Sequence, residues 1–249
     1  MNYELEIIPG TKEFVLQELT TKFSTAKIID DSKETVISFS DDKDRVEDFE
    51  TLYSPLRITK ENSLTKNLFR RQWKIENSPA GINPSLAYIL CMIAEVNEND
   101  IVLDPFCGAG TIPITASKYF GVKKVLASDV KGTAVDMTLK NQIAANITKN
   151  KMTVFRSNIT QLKLQKDSVS KIITNPPFGV RTGNHEENIK IYKSLADKAQ
   201  VILKEEGKLV CITQEKKLFL DCFSSTYKII GELQVSQGGL HPTIFVVTK

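Results

Sequence analysis

From Asn83 onward, short apolar runs alternate with helical stretches, and few folds accept that order. "NPSLAYILCMIAEV" reads as an amphipathic helix with Pro84 at its start. "DIVLDPF" is a strand, "GTIPITASKYF" a helix, "VKKVLASD" a strand and "GTAVDMTLKNQIAANIT" a helix. "MTVFRS" and "KIITN" follow as strands, "NIKIYKSLADKAQVILK" as a helix, "GKLVCIT" as a strand and "EKKLFLDCFSS" as a helix. Strands separated by helices make a mostly parallel sheet covered on both faces. The chain closes on "YKIIGELQVS" and "PTIFVVTK" with no long helix between them, so the last strand is expected to run antiparallel. Residues 83–249 are therefore expected to form one α/β domain.

The residues before this pattern differ in charge. Residues 1–56 hold six Lys or Arg against thirteen Asp or Glu, a net of −7, although the whole chain carries +3. The remainder therefore carries +10, and such asymmetry points to two modules with different tasks. Within 1–56, "YELEIIP", "AKIIDD" and "ETVISFS" read as strands. "TKEFVLQELTTKF" and the acidic "DKDRVEDFETLYS" read as helices, giving a small βαββα module. Residues 57–82 read as a basic linker. There Arg70, Arg71 and Lys74 surround Phe69 and Trp73, joining phosphate-seeking charge to faces on which bases stack. A connector packed by Trp73 and solvated by its charges has the same pattern.

No run of about eighteen apolar residues occurs, and Glu4 and Glu6 stand where a signal peptide needs a basic flank and an apolar stretch. Four scattered cysteines with no C-x-x-C pair are expected to be reduced thiols of a cytoplasmic protein. The two histidines lack ligand partners at metal-site spacing, so no metal is expected.

The chemistry gathers where strands end. In "VLDPFCGAGT" (102–111) a strand ends at Asp104, and a turn of Pro105, Phe106, Cys107, Gly108 and Gly110 leads to a helix near Thr111. The spacing is neither G-x-G-x-x-G nor a phosphate-binding loop with G-K-[ST]. An aspartate before the turn repels phosphate and suits a ligand carrying an amine, which fits S-adenosylmethionine. "VLASD" then ends on Asp129, placed to accept from ribose hydroxyls, and "FRSNI" offers Asn158 to an adenine edge. For each of the carboxylates a helix N-cap is the alternative role.

"IITNPPFGVR" (172–181) ends another buried strand. Proline restrains both itself and the residue before it, so Asn175 and Pro176 hold two acceptors rigidly, the Asn175 side-chain oxygen and the Pro176 carbonyl. Accepting from both N–H groups of an exocyclic amine turns its lone pair out of the ring, toward a methyl donor, and catalysis then comes from orientation and fixed dipoles. Phe178 offers a face for a flipped base. Arg181, just beyond, is placed to grip a phosphate or to make a surface ion pair.

"DPFCGAGTIPI" with "TNPPFGVRTG" resembles the RNA methylase family of S-adenosylmethionine-dependent enzymes that methylate guanine N2 in tRNA and ribosomal RNA, often joined to a THUMP domain. The match spans roughly residues 83–249 and includes "QGGLHPTIFVV"; residues 1–56 more weakly resemble the family's ferredoxin-like N-terminal module. The resemblance implies a Rossmann-like fold. It implies cofactor contacts from Pro105, Phe106, Cys107, Thr111 and Asn175, as well as from Asp104, Gly108, Gly110, Asp129 and Asn158. Ser85, at the start of the helix before the turn, is placed either to meet the cofactor's carboxylate or to act as an N-cap. It further implies base binding by Asn175, Pro176 and Phe178, and RNA contacts from Arg70, Arg71, Trp73, Lys74 and Arg181. Three departures stand out. A THUMP domain of usual size does not fit between the two modules, Thr115 replaces a usual Glu, and Asn158 replaces a commoner Asp. A monomer acting on tRNA is expected, with a protein partner able to make up for the missing THUMP grip. The alternatives are ribosomal RNA, an adenine amine, a protein glutamine amide, or a silent RNA-binding scaffold that keeps the fold.

Overall fold

The computed structural model describes residues 1–44, 46–61, 65–79, 81–178 and 185–249. The alternating region forms a seven-stranded sheet. Its elements run α2 (Pro84–Ile93), β6 (Ile101–Asp104), α3 (Thr111–Tyr119), β7 (Lys124–Asp129), α4 (Gly132–Ala144) and β8 (Met152–Arg156). They continue as β9 (Val169–Thr174), α5 (His185–Ile202), β10 (Leu203–Thr213), α6 (Lys216–Phe223), β11 (Lys228–Gln234) and β12 (Thr243–Thr248). The strand order is β11-β12-β10-β9-β6-β7-β8. As expected, β12 is antiparallel to both its neighbours, whereas the pairings from β10 through β8 are parallel.

Period-two alternation divides the strand residues between two cores. Val102, Ile173, Val210 and Ile244 pack with Leu86, Leu90, Ile112 and Ile114 on one face. Leu103, Ile172, Cys211 and Phe245 pack with Tyr192, Leu195, Phe219 and Phe223 on the other. From β6 the chain winds outward through β7 to β8, then returns to lay β9 on the opposite side of β6. That reversal opens a crevice at the carboxyl ends of β6 and β9, the usual ligand position in such sheets. Asp104 and Asn175 stand at those two ends.

The N-terminal module corrects the expectation in two respects. Its strands are β1 (Asn2–Glu6), β2 (Lys27–Asp30), β3 (Val36–Ser40), β4 (Arg57–Lys60) and β5 (Thr65–Asn67), ordered β2-β3-β1-β4-β5 with every pairing antiparallel. The sheet thus continues past residue 56 into the stretch read as a linker. Ile58 of β4 is fully buried, so the strand pattern of "RITK" was hidden behind its charges. Those charges are matched within the sheet: Arg57 pairs with Glu6 at 2.7 Å, Lys60 with Asp44 and Lys66 with Glu50. The second correction is the acidic helix, which shrinks to one 3₁₀ turn, Asp48–Thr51. Asp-rich sequence competes with helix through its own backbone bonds, and its like charges repel. Phe49 of that turn still enters a core with Tyr3, Phe23 and Phe39, under α1 (Lys12–Lys22).

The two sheets are bonded together. Ser236 N donates to Pro9 O at 3.2 Å. Beside it Gly10 has φ +88, and a Cβ there would stand 2.3 Å from the Gln234 carbonyl oxygen, so only glycine permits this approach.

Candidate active site

Asp104 ends β6 almost wholly buried, at 1 % exposure. Its Oδ1 accepts from Phe106 N at 3.1 Å and from the Thr174 hydroxyl at 2.7 Å. Burial, helped by the nearby Asp129 charge, pushes its pKa up to about 7 against those two hydrogen bonds. A cation brought to this carboxylate would restore its charge.

The turn above it is held from three directions. Cys107 N donates to Ser128 O at 2.9 Å, and Gly110 N donates to Cys107 O at 2.7 Å. Thr138 of α4 donates its hydroxyl to Gly108 O at 2.8 Å, and Asn141 Nδ2 donates to Ala109 O at 2.8 Å. Gly108 and Gly110 both have positive φ, +55 and +81. They are glycine for different reasons. At Gly110 a Cβ would stand 2.8 Å from the Thr138 methyl, whereas at Gly108 it would meet nothing within 4 Å. Gly108 therefore leaves room for a ligand along the backbone, and Gly110 lets α4 come close. Burial raises the Cys107 thiol pKa, so this cysteine is a packing residue with little thiolate.

Asp129 ends β7 with each carboxylate oxygen taking one backbone donor, Gly108 N at 3.0 Å and Lys131 N at 2.9 Å. Each oxygen keeps a lone pair for a further donor. Asn158 differs. Its Oδ1 caps a 3₁₀ turn, accepting from Thr160 N at 3.0 Å and Thr160 Oγ1 at 3.1 Å. The oxygen expected to meet adenine's amine is thus taken by the cap role, and the group left over is the amide donor.

At the end of β9, Thr174 is fully buried and bonded to Asp104, which sets the height at which Asn175 leaves the sheet. Pro176 is buried, while Asn175 and Phe178 are half-buried. The site thus unites Asp104, the turn with Thr111, Asp129 and Asn175 along one sheet edge.

Other expected site residues are employed elsewhere. Ser85 is fully buried and gives its hydroxyl to Pro55 O at 2.8 Å, while Asn83 caps α2; its expected cofactor contact is replaced by a bond to the N-terminal module. Trp73 is 3 % exposed and donates Nε1 to the Tyr119 hydroxyl at 3.0 Å, so it cannot stack on a base. Arg71 donates to Tyr53 O at 2.8 Å and lies 5.0 Å from the centre of the Tyr53 ring. Lys74 donates to Ile82 O at 3.2 Å, and burial lowers its pKa. Of these four RNA candidates only Arg70 is exposed. Arg181 lies outside the described residues.

Thr138, Asn141 and Thr174 were missed from sequence. The first two share one face of α4 at i, i+3, and both are fully buried, a polar pair where an apolar stripe would ordinarily pack. Asn141 also bonds Glu76 in both directions, accepting from its N at 2.8 Å and donating to its O at 3.0 Å.

The family described as UPF0020, RMKL-like methyltransferase domain, matches residues 71–243. The chain belongs to this RMKL-like family. Among curated relatives, the tRNA (guanine(6)-N2)-methyltransferase of Methanocaldococcus jannaschii is 24% identical over 248 residues, covering 84% of this chain and 64% of that protein. The tRNA (guanine(6)-N(2))-methyltransferase THUMP3 of Mus musculus is 27% identical over 202 residues, covering 75% of this chain and 40% of its own length. The RMKL-like chain therefore spans less than two thirds of either relative. Crystalline TrmN from Thermus thermophilus superposes with a TM-score of 0.86 at 17% identity, over 100% of this chain and 99% of that one. SMU.472, in complex with SAH, superposes at 0.78 with 12% identity, over 98% of this chain and 97% of that one. These superpositions establish the methyltransferase fold.

Proposed function

We propose that this protein transfers a methyl group from S-adenosylmethionine to the exocyclic N2 of a guanine in tRNA. The observation that carries the reading is the Thr174–Asp104 hydrogen bond, which ties the strand ending in the amine-binding Asn175 to the strand ending in the cofactor carboxylate. The tRNA guanine-N2 activity named for the relatives supports the choice of base and RNA.

In this reading Asp104 holds the cofactor's ammonium, Asp129 its ribose, and the Asn158 amide donor the acceptor nitrogen of its adenine. The open side of Gly108 admits its chain. S-adenosylmethionine supplies an electrophilic methyl on a sulfonium. The protein supplies position: Asn175 Oδ1 and the Pro176 carbonyl accept from the two N2 protons, and Phe178 stacks on the base. Removing such a fixed dipole costs about 10²–10³ in rate.

The test is tritium transfer from labelled S-adenosylmethionine to unmodified tRNA, with ribosomal RNA alongside, followed by digestion to nucleosides. Label in N2-methylguanosine from tRNA, lost by at least about 100-fold in Asn175→Ala while cofactor affinity persists, is the expected result. Label only in adenosine, or none despite cofactor binding, would refute the assignment.

A further inference from the structure

Next to Asn175 the sheet edge carries a second polar group that the transfer itself does not require. β10 runs parallel to β9 with Cys211 opposite Thr174, which puts Ile212 level with Asn175 and Thr213 level with Pro176, so the residues after Thr213 leave the same sheet edge one strand over. There the Thr213 hydroxyl lies 2.6 Å from the hydroxyl of fully buried Tyr192 and accepts from Glu215 N at 2.9 Å. Asn188, 1 % exposed on α5, donates Nδ2 to Glu215 Oε1 at 3.3 Å. Its own Oδ1 is buried with no hydrogen-bond partner, a costly state for a buried amide oxygen. Glu215 itself is half-buried, its backbone fixed at the start of α6.

We propose that Glu215, positioned by Asn188 and the Thr213 hydroxyl, reads the Watson–Crick edge of the acceptor base and makes the site specific for guanine. The inference rests on the guanine-N2 reading and names the selector within it. On guanine the N1–H lies beside the N2 amine. With Asn175 and Pro176 holding that amine, a carboxylate on the neighbouring strand end accepts the N1 proton. Adenine presents a lone pair at N1, which a carboxylate repels. A site built to bond one group rejects an analogue lacking it far more strongly than a hydrophobic pocket can.

2-Aminopurine probes this contact, because it keeps the exocyclic amine at C2 and replaces N1–H by a lone pair; it also lacks O6, so the change of its ratio in Glu215→Gln is what assigns the effect to N1. The experiment measures methyl transfer to two tRNA transcripts, one with guanosine and one with 2-aminopurine at the methylated position. Wild type, Glu215→Gln and Asn188→Ala are compared, with cofactor affinity and melting temperature measured in parallel. Wild type should favour guanosine by at least about 100-fold in kcat/KM. In Glu215→Gln the amide can donate to the bare N1, so the ratio should fall below about tenfold through loss on guanosine and gain on 2-aminopurine. Asn188→Ala should lower the ratio partway without changing cofactor affinity. Wild type accepting both bases equally, or a ratio unchanged in Glu215→Gln, would overturn the assignment. The first of these outcomes needs no variant and so survives a folding defect in either. Absence of transfer to guanosine by wild type would instead refute the guanine-N2 reading on which it rests.

Discussion

Two stretches of this chain carry polar groups that look made for a ligand, and the structure treats them oppositely. In the turn from Asp104 to Thr111, and at Asp129 beside it, carboxylates and Gly108 stay at the carboxyl end of the sheet, the carboxylates fixed by two hydrogen bonds each with acceptor capacity to spare. In the segment from Arg70 to Lys74, an indole and two long cationic chains turn inward onto tyrosines and carbonyls. The difference is one of reach. A short carboxylate at a strand end cannot leave that edge, so its position follows from topology. A long amphipathic side chain can bury its stem and choose its partner, so sequence neighbours say little about where its charge goes.

The sharpest way to break this comparison is at Trp73. If it belongs to the core, Trp73→Ala should destabilise the protein by about 3–5 kcal/mol in denaturant unfolding. Affinity for tRNA, measured well below the melting temperature, should then stay unchanged. Weakened tRNA binding with intact stability would return the segment to the RNA surface.

Asp104 tests the other member of the pair. Burial has raised its pKa to about 7, above the ordinary aspartate value, so the folded state holds its proton more tightly than the unfolded chain does. This carboxyl therefore favours the cofactor-free fold at low pH, and that contribution is lost as pH rises from about 4 through 7. An incoming ammonium requires the ionised form. S-adenosylmethionine affinity should rise by up to about tenfold per pH unit below 7 and level off above it, a gradient that calorimetry at several pH values would detect. Asp104→Asn should remove the gradient along with most of the affinity.

What the sequence disclosed follows the same division. The strands and helices from Pro84 to Thr248 were legible because period-two and helical repeats survive in the letters, and the strand ends then located Asp104, Asp129 and Asn175. β4 and β5 were not legible, because strand pairing decides their structure and their basic charges are balanced by Glu6, Asp44 and Glu50 far away in sequence. Ser85 was misassigned for a related reason: its partner, Pro55, lies in the other module. The Asn158 cap was not legible either, because it depends on the chain turning into a 3₁₀ turn directly after that residue.

Asn141 joins the two stretches, since one amide bonds the turn at Ala109 and the connector at Glu76. Asn141→Ala should leave three backbone groups short of a partner and cost about 1–3 kcal/mol of stability. Cofactor affinity should fall with it, because the turn loses one of its fixed points, whereas Trp73→Ala should spare cofactor affinity. Equal cofactor losses in both variants would mean that the connector, and not the turn, sets the site's geometry.

Arg70 and Arg71 give the smallest effect and the finest distinction, being adjacent and chemically identical. Arg71 holds Tyr53 O and lies over two tyrosine rings, so Arg71→Ala should destabilise by about 1–3 kcal/mol. Arg70 is exposed, and Arg70→Ala should change stability by no more than about 0.5 kcal/mol. Salt dependence separates their roles in binding. A phosphate contact by Arg70 predicts that the slope of log affinity against log salt falls by about one in Arg70→Ala and is unaltered in Arg71→Ala. A slope that falls in Arg71→Ala would show the buried guanidinium swinging out to RNA, so that its inward place on Tyr53 would belong only to the free protein.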